Sequence, residues 1–305
     1  MRDIDDGGVE QRIRWMRTVI LLLLVITMFP LCYGFTNLKL GQIPVVETRS
    51  LSNFTILDSA LPFKVFVQLD PKTTQPTMDV AVLNRTLLDQ ITWSVDTVKG
   101  VLRLSYNPSA APTDNLQGFF GNIGGLTGNS AFSIFGSGQV TINGVTVTGG
   151  NGAPSMSGKE AEVTIRTSAL TAILADGSGD IEVQSPVVVA GTLTLSVTGS
   201  GSMGLPSVTA DTLQASITGS GTVKIAGGKV NTASISAHGT GSFDGERLQV
   251  GSANALASGM GNIAVSVSEN LVGSLAGMGG IKYHGTPKVN VQTSGLAQVT
   301  KLDTA

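Results

Sequence analysis

Carboxylates are the residues of this 305-residue chain whose type and spacing could do chemistry. Enzymes that cleave polysaccharides use two carboxyl groups, one as an acid and one as a base or nucleophile. The candidates are Asp176, Asp180, Glu182, Asp211, Asp244, Glu246 and Glu269. Asp180 and Glu182 share one face of an extended chain, but Ser202 and Gly204 occupy the equivalent positions 22 residues later. A solvated polar surface explains these carboxylates better than a catalytic site, so no catalytic residue is assigned.

Three patterns resemble metal or cofactor sites but lack the groups that such sites need. The segment 199–204 fits the Gly-x-Gly-x-x-Gly dinucleotide fingerprint, but Leu205-Pro206 and more β pattern follow where a helix is needed. Asp180 follows a Gly-Ser-Gly, as in calcium-binding solenoids, yet calcium needs several oxygen ligands. The equivalent positions hold Gln139, Ser202, Thr222, Ser242, Asn262 and Gly280. This series is typical of an outward polar ladder. His238 and His284 lie far apart with no thiol partner, so no metal and no cofactor is predicted.

One phrase, Gly-x-Gly followed by apolar residues, recurs through the C-terminal half of the chain. From Gly177 onward its first glycines are separated by 22, 20, 20, 20 and 18 residues, and an earlier copy lies 41 residues before Gly177. Self-similarity at this period is typical of stacked repeats. The glycines predicted to form the corners are Gly136, Gly138, Gly177, Gly179, Gly199, Gly201, Gly219, Gly221, Gly239, Gly241, Gly259, Gly261, Gly277 and Gly279.

Apolar residues occupy even offsets from the first glycine, so they share one face of an extended chain. The predicted core residues are Leu193, Leu195, Val197, Leu213, Ala215, Ile217, Ala233, Ile235, Ala237, Ala253, Ala255 and Ala257 before the glycines, and Ile181, Val183, Met203, Leu205, Val223, Ile225, Ile263, Val265, Ile281 and Tyr283 after them. Both glycines of each phrase also have even offsets and therefore point inward. A side chain at these positions would crowd the corner where the chain bends, and glycine also permits positive φ. The middle residue of each phrase is expected to face outward.

The pattern predicts an all-β fold, a parallel β-solenoid of about 20-residue coils. Right-handed winding is expected because parallel crossovers prefer it. A rival interpretation makes each Gly-x-Gly a hairpin turn in an antiparallel meander, and the even offsets alone do not exclude it. We favour the solenoid because each coil meets an equivalent neighbour and therefore needs the same apolar template.

Residues 1–34 differ in kind from the rest of the chain. Arg12, Arg14 and Arg17 precede an apolar run that Pro30 breaks, a pattern typical of a secretory signal peptide. The alternative is an uncleaved membrane anchor at 18–35, which is short for a span. We favour cleavage near Gly34. Either alternative predicts export, to a secreted or cell-surface location, with membrane contact only through the N-terminal segment.

Other features of the sequence agree with export. Two sequons predict N-glycosylation at Asn53 and Asn84 in a eukaryotic secretory pathway. The single cysteine, Cys32, lies in the signal segment, so the exported part has no disulfide and its stability must come from an extended core. The net charge is -2, which argues against nucleic-acid binding because a nucleic-acid-binding protein is expected to carry a basic patch.

The remainder of the chain divides into three predicted segments. Residues 35–107 form an N-terminal β region continuous with the solenoid, 108–160 a Gly/Ser-rich insertion with one embedded coil at 130–147, and 161–305 the solenoid repeats. In the first segment, strands are expected at 63–69, 78–83, 91–95 and 101–106, with a short helical turn at 85–90. The composition of the insertion leaves little apolar surface to bury.

These residues resemble a known family. The tandem Gly-Ser-Gly coils, ending in Ile281-Lys-Tyr-His-Gly-Thr-Pro-Lys-Val289, resemble the putative auto-transporter adhesin head GIN domain. The segments 63–67, 83–88 and 100–104 are also similar to that family, so the resemblance covers about 45–107 and 130–302, with the insertion as a departure. It implies a β-solenoid at the cell surface with a role in adhesion. It carries over no catalytic residues.

The leading hypothesis is an exported, non-enzymatic β-solenoid that binds surface glycans or proteins. The alternatives are a β-solenoid enzyme that acts on polysaccharides and a purely structural component of a wall or matrix. The ligand and the oligomeric state do not follow from these patterns.

Overall fold

The structure, a computed structural model, describes residues 44–107, 139–142, 145–148 and 161–302. Its strands are β1 (Val45–Ser50), β2 (Ile56–Ala60), β3 (Lys64–Leu69), β4 (Thr77–Val82), β5 (Ile91–Asp96), β6 (Val101–Tyr106), β7 (Gln139–Ile142), β8 (Val145–Thr148), β9 (Ala161–Thr167), β10 (Ala172–Gly177), β11 (Ile181–Val183), β12 (Val187–Gly199), β13 (Ser202–Leu205), β14 (Val208–Gly219), β15 (Thr222–Ile225), β16 (Gly228–Gly239), β17 (Ser242–Gly259), β18 (Asn262–Gly277), β19 (Gly280–His284), β20 (Lys288–Gly295) and β21 (Gln298–Lys301). One helix, α1 (Thr86–Gln90), lies between β4 and β5. Within these ranges no helix has the length and apolar character to span a bilayer, and the expected signal or anchor lies outside them.

Each coil from β10 onward has three sides. The first face contains the strand segments that precede the glycine corners, such as 192–199 and 212–219. The second face contains the short strands that follow those corners, such as β13 and β15. The third face contains the beginnings of β12, β14 and β16, which bend into the first face near residues 190, 211 and 231.

The strands of successive coils pair in parallel and in register. Gly177 lies beside Gly199, Gly199 beside Gly219, and Gly219 beside Gly239. The Gly-x-Gly phrases therefore stack on one another as corners, and the prediction of a parallel β-solenoid is confirmed. The antiparallel meander was the wrong alternative, because a hairpin at each phrase would pair neighbouring strands antiparallel.

The core is the column of apolar side chains inside these coils. Every predicted core residue is buried except Tyr283, which is half-buried. Phe243 adds a large side chain to the second face. Burial of these chains follows from the alternation of the strands, because inward and outward positions of one coil match those of the next.

The two glycines of each corner meet different requirements. The first has positive φ in every described copy, for example 113° at Gly199 and 110° at Gly219. In four of the six described copies its carbonyl accepts two backbone N–H groups from the next coil, as Gly199 O does from Ser220 (2.8 Å) and Gly221 (3.0 Å), whereas the carbonyls of Gly239 and Gly277 accept one. The second glycine is buried from Gly201 to Gly261 with ordinary φ, and a Cβ there would meet the backbone of the previous coil. Gly136 and Gly138 lie outside the described residues.

The N-terminal strands do not follow the coil order of the rest of the chain. β2 and β3 pair in parallel with β10 and β11, but on their other side they pair with β6 and β9. The chain therefore places the β6–β9 coil outside the β2–β3 coil. Beyond it, β5 pairs antiparallel with β6, β4 with β9, and β1 with β4. These antiparallel strands cap the N-terminal end.

The predicted coil at 130–147 is not seen in the described strands of that segment. β7 and β8 pair antiparallel with each other in a sheet of their own, with Gln139 opposite Thr148. The physical reason is in the sequence: Asn143-Gly144 between two Val/Thr runs is the strongest short hairpin signal. The insertion begins after β6 and ends before β9, so it takes the position that a glycine corner occupies in later coils.

Candidate functional site

The carboxylates singled out in the sequence are distributed over the surface. Glu182 forms an ion pair with Lys64, and Asp244 forms one with Lys224 (3.2 Å), both on the second face. Glu269 accepts a hydrogen bond from Ser252 across the corner between the third and first faces. Asp176 and Glu246 are exposed on other sides of their coils. No group of three or more His, Cys, Asp or Glu residues in the described ranges is placed to hold a metal ion.

The expected polar ladder runs along the start of the second face. Ser202, Thr222, Ser242, Asn262 and Gly280 lie in register on adjacent coils. At its N-terminal end, Asp180 accepts hydrogen bonds from the backbone N–H (2.9 Å) and the hydroxyl of Ser202. The carboxylate is thus satisfied by its neighbouring coil.

The two histidines are well separated along the solenoid. His238 lies on the first face, where its Nδ1 is 2.7 Å from the Ser258 hydroxyl. His284 ends β19 on the second face. The sequon residues Asn53 and Asn84 are both exposed, as glycosylation requires. Their glycosylation stays a prediction.

A groove opens on the third face where the coil length changes from 20 to 18 residues. β17 and β18 are in register through Gly245 and Val265, and their register resumes at Gln249 and Ser266. The later coil therefore lacks residues equivalent to 246–248, although it has one extra residue at the next corner. Because this coil turns sooner than its predecessors, the side of the solenoid has a step. We call it the step groove.

The step groove has a volume of about 650 Å³ and spans three coils and the start of a fourth. Its lining contains hydroxyl, amide and charged side chains without any aromatic ring. The polar lining residues are Lys229, Asn231, Thr232, Gln249, Ser252, Ser266, Ser268, Glu269 and Thr286. Together they offer both hydrogen-bond donors and acceptors in a row along the coil axis.

Hydrogen bonds fix part of this lining. Asn270 Nδ2 donates to Ser252 Oγ (3.2 Å), and that hydroxyl donates to Glu269 Oε2 (3.3 Å). Ser268 donates to the Val250 carbonyl (3.3 Å). These contacts orient the Ser252 and Glu269 side chains before any ligand arrives, whereas Lys229 and Gln249 are exposed. A polar ligand would therefore meet a partly ordered set of groups.

A second, smaller cavity of about 240 Å³ lies at the capped N-terminal end. Val80, Leu88 and Ile91 contribute apolar lining, and Trp93 stands at the rim with the Arg49 guanidinium 4.8 Å from the centre of its ring. Arg49 also forms an ion pair with Glu47. Because the Arg49 guanidinium already contacts the Trp93 ring and the Glu47 carboxylate, this cavity offers fewer polar groups for a ligand than the step groove does.

A buried carboxyl group without a full set of partners lies away from both cavities. Glu162 is the second residue of the second-face strand β9 and lies opposite Lys64, and its side-chain Oε1 has no hydrogen-bond partner in the described part of the chain. Burial raises the pKa of Glu162 to about 7, and the nearby Lys64 charge opposes part of that rise. The group therefore changes charge near neutral pH.

Comparison with known proteins agrees with the repeat. Residues 151–287 match the family described as putative auto-transporter adhesin, head GIN domain. The resemblance seen in the Gly-Ser-Gly coils is confirmed over that range, which is shorter than the sequence suggested. No curated protein matches the chain.

Solved structures similar to this chain have low sequence identity. A putative adhesin from Bacteroides fragilis is 16% identical, with a TM-score of 0.63, covering 87% of this chain and 100% of its own. A putative adhesin from Parabacteroides merdae is 15% identical, with a TM-score of 0.57, covering 86% and 98%. A putative lipid binding protein from Parabacteroides distasonis is 17% identical, with a TM-score of 0.58, covering 86% and 98%. At these identities the likeness shows that the β-solenoid fold is shared.

Sequence reasoning missed the step groove and one corner. Gly295 has φ of 84° and stacks on Gly277, but Ala297 stands where the second glycine is expected, so the phrase is not recognisable. The groove had a visible signal, the final step of 18 residues instead of 20. That number alone does not say which corner lost residues.

Proposed function

We propose that this chain is an exported, non-enzymatic binding module that acts in adhesion or as a structural component at the cell surface or in the extracellular matrix. Within that role, we propose that the step groove holds a polysaccharide. The observation that supports this most is the row of hydroxyl, amide and charged groups along three stacked coils. Sugars present many hydroxyls, and a lining with both donors and acceptors satisfies them in several orientations.

The family and the similar structures support a binding role through their names alone. Two of the similar proteins are described as putative adhesins and one as a putative lipid binding protein. The expected export rests on the N-terminal sequence, where basic residues precede an apolar run. Glycans or proteins on a neighbouring surface are the partners that such a module would meet.

The geometry of the groove favours binding over hydrolysis. Glycoside cleavage needs two carboxyl groups about 5–9.5 Å apart. Glu269 is the carboxylate in the described lining, and Asp211 is the nearest other acid along that corner. Three coils separate them, which is roughly 14 Å at the usual strand spacing. Asp211 also accepts a hydrogen bond from Asn231 (3.3 Å).

Replacing Gln249 by alanine, or Glu269 by glutamine, is expected to weaken polysaccharide binding by about fivefold each, because each change removes or weakens a hydrogen bond to the ligand. Affinity electrophoresis of the full chain in gels containing xylan, β-glucan or mannan measures the change. Gln214→Ala is the matched control, since Gln214 is exposed on the first face, outside the groove. The proposal fails if no polysaccharide retards the wild type, or if the groove variants and the control migrate alike.

A further inference from the structure

The middle residue of the glycine corner changes its chemistry part-way along the solenoid. It is polar in the first four coils and large and apolar in the last three. The seven residues, in order, are Ser178, Ser200, Ser220, Thr240, Met260, Met278 and Leu296. The corner backbone stays the same, because the N–H of each of the last three still donates to the first glycine of the previous coil at 2.8 Å. Corner formation therefore does not require the apolar side chains.

These three side chains are turned into solvent. Met260 is 51% exposed, Met278 61% and Leu296 74%. Because their coils are adjacent, the side chains form a straight row about 10 Å long at the usual strand spacing. We call this row the apolar ridge. A single exposed apolar residue is ordinary, whereas a contiguous row marks an interaction surface.

Two further apolar residues are exposed on the first face near the ridge. Leu256 is 40% exposed and follows Ser216 and Ser236 in its column, and Val272 is 47% exposed and follows Ser234 and Asn254. Ser258, Ser274 and Ala276 lie between these two residues and the ridge. The opposite flank, on the second face, presents the exposed Lys282 four residues after Met278.

The charge around the ridge is basic although the chain as a whole carries -2. On the second face, which adjoins the ridge, lie the exposed Lys282 and Lys301, whereas Lys288 is in register with Asn270 and so lies at the same distant corner as Glu269. That carboxylate lies at the opposite corner of its coil, bonded to Ser252. Within the described residues, this apolar row has Lys282 and Lys301 on one flank and no carboxylate next to it, so it is complementary to a surface that is apolar inside and anionic outside.

The shape of the ridge restricts its partner. A solenoid corner is convex, so two copies meeting ridge to ridge would bury little more than a line of side chains, whereas a specific interface needs about 1,000 Å². A lipid bilayer is soft and admits protruding side chains without a matching pocket. The flexible methionine side chain adapts to such a surface.

We propose that the apolar ridge is a contact site for an anionic lipid bilayer. Met260, Met278 and Leu296 enter the boundary between headgroups and acyl chains, and Lys282 lies against the headgroup phosphates. The basic residues strengthen this contact where they reach the headgroups. This site is independent of the step groove, so either can fail without the other.

Oxidation of individual methionines tests the ridge in the full chain. With phosphatidylcholine vesicles containing phosphatidylglycerol, sulfoxide formation by dilute peroxide at Met260 and Met278 is expected to fall by about threefold or more, because the bilayer covers them. Mass spectrometry gives the extent at each residue. This readout is needed because the apolar segment at 18–35 could hold the chain on vesicles by itself.

Two variants sharpen the result. Ser178→Met places an oxidisable side chain at the same corner position four coils away, and its oxidation is expected to be unchanged by vesicles. Lys282→Gln is expected to weaken vesicle binding by about fivefold and so to reduce the protection of Met260 and Met278, since it removes a contact with the headgroup phosphates. Equal oxidation of Met260 and Met278 with and without anionic vesicles overturns the proposal. Protection that rises with protein concentration in the absence of lipid also overturns it, in favour of self-association.

Discussion

Replacing Gly221 by alanine is expected to lower the free energy of unfolding by about 3 kcal/mol or more. A Cβ on Gly221 would lie 2.5 Å from the Gly201 carbonyl oxygen and 2.5 Å from Val197 Cγ1. The first contact is with backbone, so no rotamer change relieves it. The coils are held together by their backbone hydrogen bonds, and moving one apart to admit a methyl group would weaken the bonds on both sides of the corner.

Urea unfolding followed by circular dichroism measures this change. Ser220→Ala, one residue away on the exposed side of the same corner, is the matched control and is expected to stay within about 0.5 kcal/mol of the wild type. Gly219→Ala is expected to be destabilising as well, because Gly219 has φ of 110° and side chains rarely adopt that conformation. Equal unfolding free energies for Gly221→Ala and Ser220→Ala would contradict this prediction, because they would show that a methyl group fits at position 221.

Replacing Glu162 by glutamine is expected to stabilise the protein at pH 8 by about 1–3 kcal/mol, with little effect at pH 4.5. Burial raises the pKa of Glu162 from 4.5 to about 7 in the folded chain. The folded state therefore holds this proton more tightly than the unfolded state. Its stability is highest below the unfolded pKa and falls as pH rises from about 4.5 through 7. Glutamine cannot ionise, so the variant loses that dependence.

The difference in unfolding free energy between wild type and variant, measured at several pH values, isolates this group from the other carboxylates. Glu182→Gln is the control, since Glu182 is exposed on the same face and pairs with the same Lys64. Surface ion pairs contribute little, so this variant is expected to change stability by less than about 1 kcal/mol. A constant difference between Glu162→Gln and wild type from pH 5 to 8 would contradict the account.

The sequence predicted the coils and their core because every coil meets an equivalent neighbour. The even offsets of Leu193, Ile217 and Ile235 are sufficient to place them inside, since the parity of a strand decides which face a side chain takes. The strands at 64–69, 77–82, 91–96 and 101–106 also lie within one residue of their predicted bounds. Local alternation and turn residues carry this information.

The order of the N-terminal strands could not be predicted in the same way. Several strand orders would give the side chains of β6 and β9 the same inward direction. In the observed order β6 pairs with β2 and β9 pairs with β3, although these partners are far apart in the sequence. The step groove also depends on register. The shortening could have fallen at any corner, and only the pairing of Gly245 with Val265 and Gln249 with Ser266 places it. The outward position of Met260 and Met278 follows from their place in the middle of the phrase, whereas Leu296 could not be placed because its phrase lacks the second glycine.

The most direct test of a binding role without catalysis measures retention and cleavage together. The full chain is incubated with insoluble xylan, β-glucan or mannan, and both the bound protein and the reducing sugar released are quantified over hours. We predict that the wild type is retained by at least one of these polysaccharides with no sugar released above a protein-free control, and that Gln249→Ala combined with Glu269→Gln abolishes the retention. Release of sugar by the wild type that the double variant lacks would contradict the account.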